Sequence, residues 1–225
     1  MKTKKIYQIC LMVLIGIVTT ATGSGQEKAN KYNLSDLFAN NKFDVYNRKI
    51  SSFSENGIEG IRFSKNPNDG IAWLAGTKFA EGTIELDIRG KDAFQQSFVG
   101  VAFHGIDNDT LDVVYFRPFN FQSPDPARKI HAVQYISHPN FTWQVLRETQ
   151  NGLYEKAASP APNAVDWFHA KIVILSQQIS VFINGNSEPS LTIDKLNDRK
   201  TGKIGLWVGN NSDGDFANLE ITNRD

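Results

Sequence analysis

The sequence predicts an all-β fold, an antiparallel sandwich or barrel. Short runs rich in β-branched and aromatic residues follow one another closely, and turn pairs such as Asn56-Gly57 and Asn184-Gly185 separate them. Little of the chain after residue 25 has the 3.6-residue period of a helix. Many short strands with turn signals between them are typical of antiparallel sandwiches and barrels.

Taken in chain order, the pattern predicts one short helix and then strands only. The helix covers residues 33–40, with Asn33 or Ser35 as its N-cap. The predicted strands are 45–53, 57–63, 71–75, 82–90, 96–104, 111–117, 130–137, 142–148, 167–175, 178–184, 189–194, 202–208 and 215–222. The proline-containing segments 123–128 and 159–162 are predicted to be surface loops, so residues 26–225 are expected to form a single domain.

The first 25 residues have the pattern of a signal peptide. Three lysines, at positions 2, 4 and 5, precede an apolar run from Ile9 to Val18, and small residues follow up to Gly25. The apolar run is short for a membrane span, so cleavage is favoured over an uncleaved anchor. We therefore expect a secreted or periplasmic protein with no membrane insertion after cleavage.

Charge and cysteine content exclude several function classes. Without residues 1–25 the chain keeps 21 of its 24 basic side chains and all 24 acidic ones, a net charge of 21 − 24 = −3. Nucleic acid is not an expected partner, because binding it requires a basic surface. The single cysteine, Cys10, lies within the predicted signal peptide, so the mature chain can have no disulfide, thiolate nucleophile or cysteine metal site.

Alternation assigns faces to a predicted hairpin formed by strands 96–104 and 111–117. Side chains change face at every residue of a strand. One face is entirely apolar and should lie in the core; it carries Val99, Val101, Phe103, Val114 and Phe116. The opposite face carries small residues at Gly100 and Ala102 beside His104, Tyr115 and Arg117. A glycine inside a strand often marks the close approach of a ligand, so this face is predicted to form a shallow groove.

Arg117 has two competing interpretations, a ligand-binding residue in that groove or a structural ion pair with Glu85 or Asp87. Nearby amides favour a sugar ligand, because an amide can donate and accept hydrogen bonds at once. The amides are those of Asn120 and Gln134. Trp143 and Trp73 could provide rings for a pyranose to stack on.

Residues 82–89 place Glu85, Asp87 and Arg89 on one strand face. The two carboxylates resemble the start of the Glu-x-Asp-x-x-Glu strand of jelly-roll β-glucanases. In that pattern the second glutamate would fall at 89 or 90, which hold Arg89 and Gly90. A retaining mechanism needs both carboxylates, so a solvated face paired with Arg89 is expected. Glu85 and Asp87 remain candidates for ligand binding only.

No metal site is predicted, although calcium is left open. The histidines at 104, 131, 138 and 169 lack the close spacing of metal ligands. Two oxygen-rich loops, 107–109 and 213–215, could bind calcium, but neither has the twelve-residue pattern with its closing glutamate. No cofactor other than calcium is expected.

Five segments together resemble the concanavalin A-like lectin/glucanase superfamily: 79–88, 97–104, 115–120, 131–135 and 214–221. More narrowly, they are similar to secreted laminin-G-like domains and to 3-keto-disaccharide hydrolase-like domains. The resemblance covers most of residues 45–222. It implies an antiparallel two-sheet jelly-roll sandwich whose concave face binds a glycan or oligosaccharide. It does not imply one activity, because a fold hosts many functions.

Three functions therefore remain open. The first is a secreted carbohydrate-binding protein. The second is a glycoside hydrolase or lyase acting on a keto-sugar, with His131 or His104 as the base and Arg117 stabilising the oxyanion. The third is a structural or adhesive surface protein without a sugar site.

Overall fold

Two antiparallel sheets form the architecture of the computed structural model, which describes residues 29–224. The strands in chain order are β1 Ala29–Tyr32, β2 Phe43–Tyr46, β3 Ile50–Glu55, β4 Ile58–Phe63, β5 Gly70–Phe79, β6 Gly82–Arg89, β7 Val99–Gly105, β8 Asp112–Phe116, β9 Val133–Ser137, β10 Glu155–Lys156, β11 Phe168–Leu175, β12 Gln178–Ile183, β13 Leu191–Asp194, β14 Gly202–Val208 and β15 Gly214–Asn223. The helices are α1 Leu34–Ala39, α2 Pro118–Phe121, α3 Pro126–Lys129 and α4 Trp143–Thr149.

The eight-stranded sheet has the order β13-β12-β11-β6-β15-β4-β3, with β1 added beside β15. The seven-stranded sheet has the order β10-β9-β8-β7-β14-β5-β2. All the strand pairs are antiparallel, as the turn signals predicted.

The predicted signal peptide, residues 1–25, lies outside the described residues. Within residues 29–224, no helix has the length and apolar character needed to cross a membrane.

The core lies between the sheets and is formed by the faces that alternation assigned to it. The predicted hairpin exists as β7 and β8, with Val101 paired to Val114. The five residues predicted for its core face are at most 1 % exposed: Val99, Val101, Phe103, Val114 and Phe116. On the eight-stranded sheet, Ile84, Leu86 and Ile88 point into the same core.

The short helix α1 is confirmed, and its cap is Asn33, whose side chain accepts a hydrogen bond from the backbone N–H of Asp36. The predicted strand 142–148 is wrong, because these residues form α4. Thr142 caps this helix by accepting from the N–H of Val145 at 3.3 Å, and Leu146 is buried beneath it. Several residues of this segment favour strands, which led to the wrong prediction. The four-residue spacing of Trp143 and Arg147 nevertheless places them on one side of a helix.

Two other strand predictions need correction. Segment 45–53 is divided between the two sheets, because Asn47 has a positive φ of 50° and ends the pairing of β2. Its side chain holds the turn by donating to the carbonyls of Pro67 and Asp69, both at 2.8 Å. Segment 130–137 becomes regular only at Val133, since the preceding residues form a turn after α3.

The prediction that His104 faces the groove is wrong, because a β-bulge interrupts the alternation of β7. Lys203 pairs with Gly105 and Gly205 with Ala102, so β7 has one extra residue there, and His104 has a φ of 48°. The imidazole consequently lies on the core side, stacked on Phe79 at 6.0 Å. It is 1 % exposed.

Candidate functional site

One row of paired residues crosses the seven-stranded sheet and defines the site. Directly paired residues of antiparallel strands carry their side chains on the same face. From β10 to β5 the row contains Glu155, Gln134, Tyr115, Gly100, Trp207 and Ile71. Three of them pack in a second apolar cluster outside the sandwich core: Tyr115, Trp207 and Ile71. We call this side of the sheet, turned away from the core, the pocket face.

A cavity of about 580 Å³ lies on the pocket face. The segment after β8, the loop before β7 and helix α4 form its walls. Its aromatic lining consists of Phe94, Phe98, Tyr115, Phe119, Trp143 and Trp207. Its ionisable lining consists of Asp69, Arg117, Arg128, His131, His138 and Arg147.

Five of the residues selected from the sequence line this one pocket: Tyr115, Arg117, Asn120, His131 and Trp143. They come from β8, from the segment after it, from the turn before β9 and from α4. The groove predicted over Gly100 is filled by this chain itself, because a Cβ on Gly100 would lie 2.7 Å from that of Tyr115. The rings of Tyr115 and Trp207, its two neighbours in the row, are 5.1 Å apart.

The other selected residues lie elsewhere. Gln134 is fully buried beneath the pocket, where its Oε1 accepts from the Tyr115 hydroxyl at 2.7 Å and from Arg117. Trp73 is buried beside β14 and donates to Asn108 Oδ1 at 2.9 Å. Glu85 and Asp87 are on the outer face of the other sheet and cannot share this pocket. Gln134 thus lies on the predicted side of the sheet but beneath the pocket, whereas Trp73, Glu85 and Asp87 do not line it.

Arg117 is held by its own chain on nearly every side. Its guanidinium donates to the Tyr115 hydroxyl at 2.6 Å, to the carbonyl of His131 at 2.7 Å and to Gln134. Its Nη1 also lies 3.5 Å from a carboxylate oxygen of Glu155. Arg117 as a whole is only 5 % exposed. An ion pair thus exists, but with Glu155 rather than with Glu85 or Asp87.

Glu155 is the buried anion that organises this wall. Arg147 donates to both of its oxygens, at 3.2 and 2.9 Å, and His131 Nδ1 lies 2.8 Å away, off the line of a hydrogen bond. Burial alone would raise the pKa of Glu155, but the hydrogen bonds from Arg147 and the nearby charge of Arg117 hold it below its usual value. Burial lowers the pKa of His131, which favours the neutral imidazole. The carboxylate is therefore ionised beside a neutral histidine.

The mouth of the pocket carries two aromatic rings that remain largely in solvent. Phe94 is 57 % exposed and Trp143 is 43 % exposed. Each ring has a guanidinium over it: Arg128 lies 4.4 Å from the centre of Phe94, and Arg147 lies 5.1 Å from that of Trp143. Trp143 and Arg147 are neighbours on α4 because residues four apart share one side of a helix.

Glu85 and Asp87 pair with His169 rather than with Arg89, which instead bonds Glu55 and Asp215. The hydrogen bond to Asp87 raises the pKa of His169. The stabilisation is therefore complete below the ordinary histidine pKa of about 6.5 and is lost as the pH rises through the higher folded value. Asp87 stays ionised at pH 5.5 because its own pKa is lowered, chiefly by the hydrogen bond from His169 against the opposing effect of burial.

We predict that His169→Gln costs about 0.5 kcal/mol more stability at pH 5.5 than at pH 8.5, a small difference because the pair is part-exposed. Urea unfolding of both proteins at the two pH values measures it. An equal cost at both values would contradict the assigned pair.

Three of the four carboxylates in the two loops left open for calcium are engaged within the protein. Asp107 Oδ1 accepts from the N–H groups of Asp109 and Thr110, at 2.9 and 2.7 Å. Asp213 pairs with Lys91, and Asp215 pairs with two arginines. Across residues 29–224, no three histidine, aspartate or glutamate side chains are grouped so that they could hold a metal ion.

Solved structures resemble this sandwich over most of its length. The carbohydrate-binding module CBM66 from Bacillus subtilis matches with a TM-score of 0.58 and 13 % identity, covering 80 % of this chain and 96 % of the module. A Bacillus subtilis protein with a galectin-like fold matches at 0.59 and 12 %, covering 88 % and 99 %. The β-glucanase of Bacillus licheniformis matches at 0.51 and 11 %, covering 88 % and 100 %.

The chain has the concanavalin A-like jelly-roll fold. The fold implied by the sequence resemblance is thereby confirmed. No family model matches the sequence, and no curated protein does either. At identities this low the likeness establishes the fold and not the activity.

Several residues of the pocket, and of the ion-pair network behind it, could not be selected from the sequence. Glu155 belongs to a two-residue strand that no pattern marks, and only its pairing with Gln134 places it behind Arg117. Trp207 reaches the pocket through its pairing with Gly100. Arg147 could have been selected from the sequence, because its four-residue spacing from Trp143 fits a helix with both residues on one side.

Proposed function

We propose that this chain is an exported glycan-binding protein and that the cavity on the pocket face is its binding site. The observation that carries the proposal is the pair of exposed rings, Trp143 and Phe94, at the mouth of a pocket lined with polar donors. Binding sites for small molecules combine apolar walls with a few placed polar groups. The apolar face of a sugar ring can stack on the aromatic rings while hydroxyls meet arginine, histidine and asparagine groups.

The fold supports the same proposal, since one structural match is a carbohydrate-binding module. A pair of catalytic carboxylates does not face the cavity: of the described residues, Asp69 is the one acid that lines it. Burial raises the pKa of Asp69. This arrangement favours binding over hydrolysis by two carboxylates.

A second candidate function, proton abstraction from a sugar, has one observation in its favour. His131 lines the pocket, its lowered pKa keeps it neutral, and Glu155 lies behind its Nδ1. A neutral histidine in a pocket, with a carboxylate close to its second ring nitrogen, has the residue types of a general base and its neighbour. His104 cannot take this role from the core side of the sheet, and the donors of Arg117 are engaged by its own chain.

The test is incubation of the protein with plant and microbial oligosaccharides, followed by mass spectrometry of the sugars and calorimetry of binding. We expect unchanged sugar masses and saturable binding. Trp143→Ala should weaken binding about 10- to 30-fold, the effect of removing a stacking residue at the centre of a contact. The matched control is Trp167→Ala, because Trp167 stacks on Phe53 against the other sheet.

A mass change that His131→Asn abolishes would support the catalytic candidate instead. Equal losses of affinity in the two tryptophan variants would contradict the location of the site. Binding of none of the oligosaccharides would contradict the proposed function and favour a structural or adhesive protein.

A further inference from the structure

The cationic groups of the pocket outnumber the carboxylates that neutralise them. Arg117 and Arg147 share one carboxylate, that of Glu155. A third guanidinium, that of Arg128, lines the same cavity. On this side of the cavity, three guanidinium groups have one carboxylate to neutralise them, so two positive charges are not compensated.

Arg128 makes its contacts with neutral groups. Its Nε donates to Asn120 Oδ1 at 3.3 Å, and its Nη2 donates to the carbonyl of Phe119 at 3.0 Å. The central carbon of the guanidinium lies 4.4 Å from the centre of the Phe94 ring. Within residues 29–224, no carboxylate lies within ion-pair distance of it, and its Nη1 has no hydrogen-bond partner. The side chain is therefore held in place, while the N–H groups of its Nη1 and its positive charge remain available to a ligand.

The acid that lines the cavity, Asp69, lies on the far side. It precedes Gly70, which is paired in one row with Val208, Val99 and Phe116. Three strand spacings separate the ends of that row, roughly 14 Å. Asp69 is thus placed beside Trp207 and β5, whereas the arginines follow β8 or lie on α4.

Resting on the proposed glycan-binding function, we propose that the pocket selects acidic glycans and that Arg128 binds their anionic group. A guanidinium fork matches the two oxygens of a carboxylate or a sulfate better than it matches hydroxyls. A uronate carboxylate and a sulfate ester present the same chemistry at this position. The contact with the Phe94 ring and the hydrogen bonds to Asn120 and to the carbonyl of Phe119 hold the fork in place.

The test is calorimetry with matched ligands at one ionic strength. An oligogalacturonide is compared with its methyl ester, which has the same backbone without charge, and a sulfated galactan oligosaccharide is compared with its desulfated form. We expect the native protein to bind at least one charged form about 10-fold more tightly than its neutral partner. The pair that shows the preference identifies the source of the anionic group.

Arg128→Gln should reduce that preference to about 2-fold or less, because it should weaken binding of the charged ligand far more than binding of its neutral partner. The matched control is Lys129→Gln, which removes the same charge from an exposed neighbour on α3 that does not line the cavity. Lys129→Gln should keep the full preference.

Four outcomes would overturn the inference. One is equal affinity for both members of each pair, which leaves glycan binding itself intact. Another is an equal loss for charged and neutral ligands in Arg128→Gln, which would indicate a purely structural arginine. The third is an equal loss of preference in Lys129→Gln, which would indicate general electrostatic attraction. If none of the four ligands binds but another neutral glycan does, the proposed function stands and this inference fails.

Discussion

Replacing Glu155 by glutamine should lower the free energy of unfolding by about 3–5 kcal/mol. Glu155 is 2 % exposed, and its carboxylate accepts hydrogen bonds from Arg147 and Arg117. Arg117 is itself only 5 % exposed. Removal of the anion leaves buried guanidinium charge without compensation, which costs far more than an exposed ion pair contributes. Urea unfolding followed by tryptophan fluorescence measures the change.

The matched control for this prediction is Glu85→Gln, which removes an ion-pairing carboxylate from the exposed outer face of the other sheet. We expect a loss below about 1 kcal/mol and no change in glycan binding. A loss in Glu155→Gln no greater than that in Glu85→Gln would contradict the role assigned to the buried network.

Replacing Asp112 by alanine should cost a similar amount, about 3–5 kcal/mol. Asp112 is fully buried, and its Oδ1 accepts from Tyr135, Asn197 and Arg199 at 2.8, 2.6 and 2.8 Å. His104 Nδ1 lies 3.5 Å from its other oxygen. Without the carboxylate, the buried Tyr135 hydroxyl loses its acceptor and the charge of Arg199 loses its ion-pair partner, so thermal unfolding should show a large fall in Tm.

Asp109→Ala is the control for that change, because Asp109 lies in the exposed loop just before β8 and its side chain forms no hydrogen bond among the described residues. Its effect should be within about 0.5 kcal/mol. If Asp112→Ala kept its stability and lost glycan affinity instead, the cluster around His104 would belong to the binding site after all.

Alternation predicted the parts of the fold in which each strand keeps its period. The hairpin of β7 and β8 illustrates this, since its core face and the placement of Tyr115 and Arg117 followed from parity alone. The same argument failed at His104, because one bulged residue reverses every later assignment on the strand. The residue pattern of 98–104 does not indicate the bulge, because the bulge is a feature of the pairing with β14.

The partner of Arg117 could not be predicted because it depends on long-range register. Glu85 and Asp87 were the predicted partners because they lie in a segment with a clear strand pattern. Glu155, by contrast, follows a helix and joins the sheet over two residues only. Pairing of β10 with β9 brings it within reach of an arginine 38 positions away. The walls of the pocket were missed for a related reason: helix α4 was mistaken for a strand, so the shared side of Trp143 and Arg147 was not recognised.

The most direct test of the proposed binding site is a crystal structure of the protein with the tightest-binding oligosaccharide of the screen. We predict a sugar ring stacked on Trp143 or Phe94, in the cavity on the pocket face. The proposal would be contradicted by a sugar bound on the other sheet beside Glu85 and Asp87, or in the hollow of about 510 Å³ bordered by Tyr32.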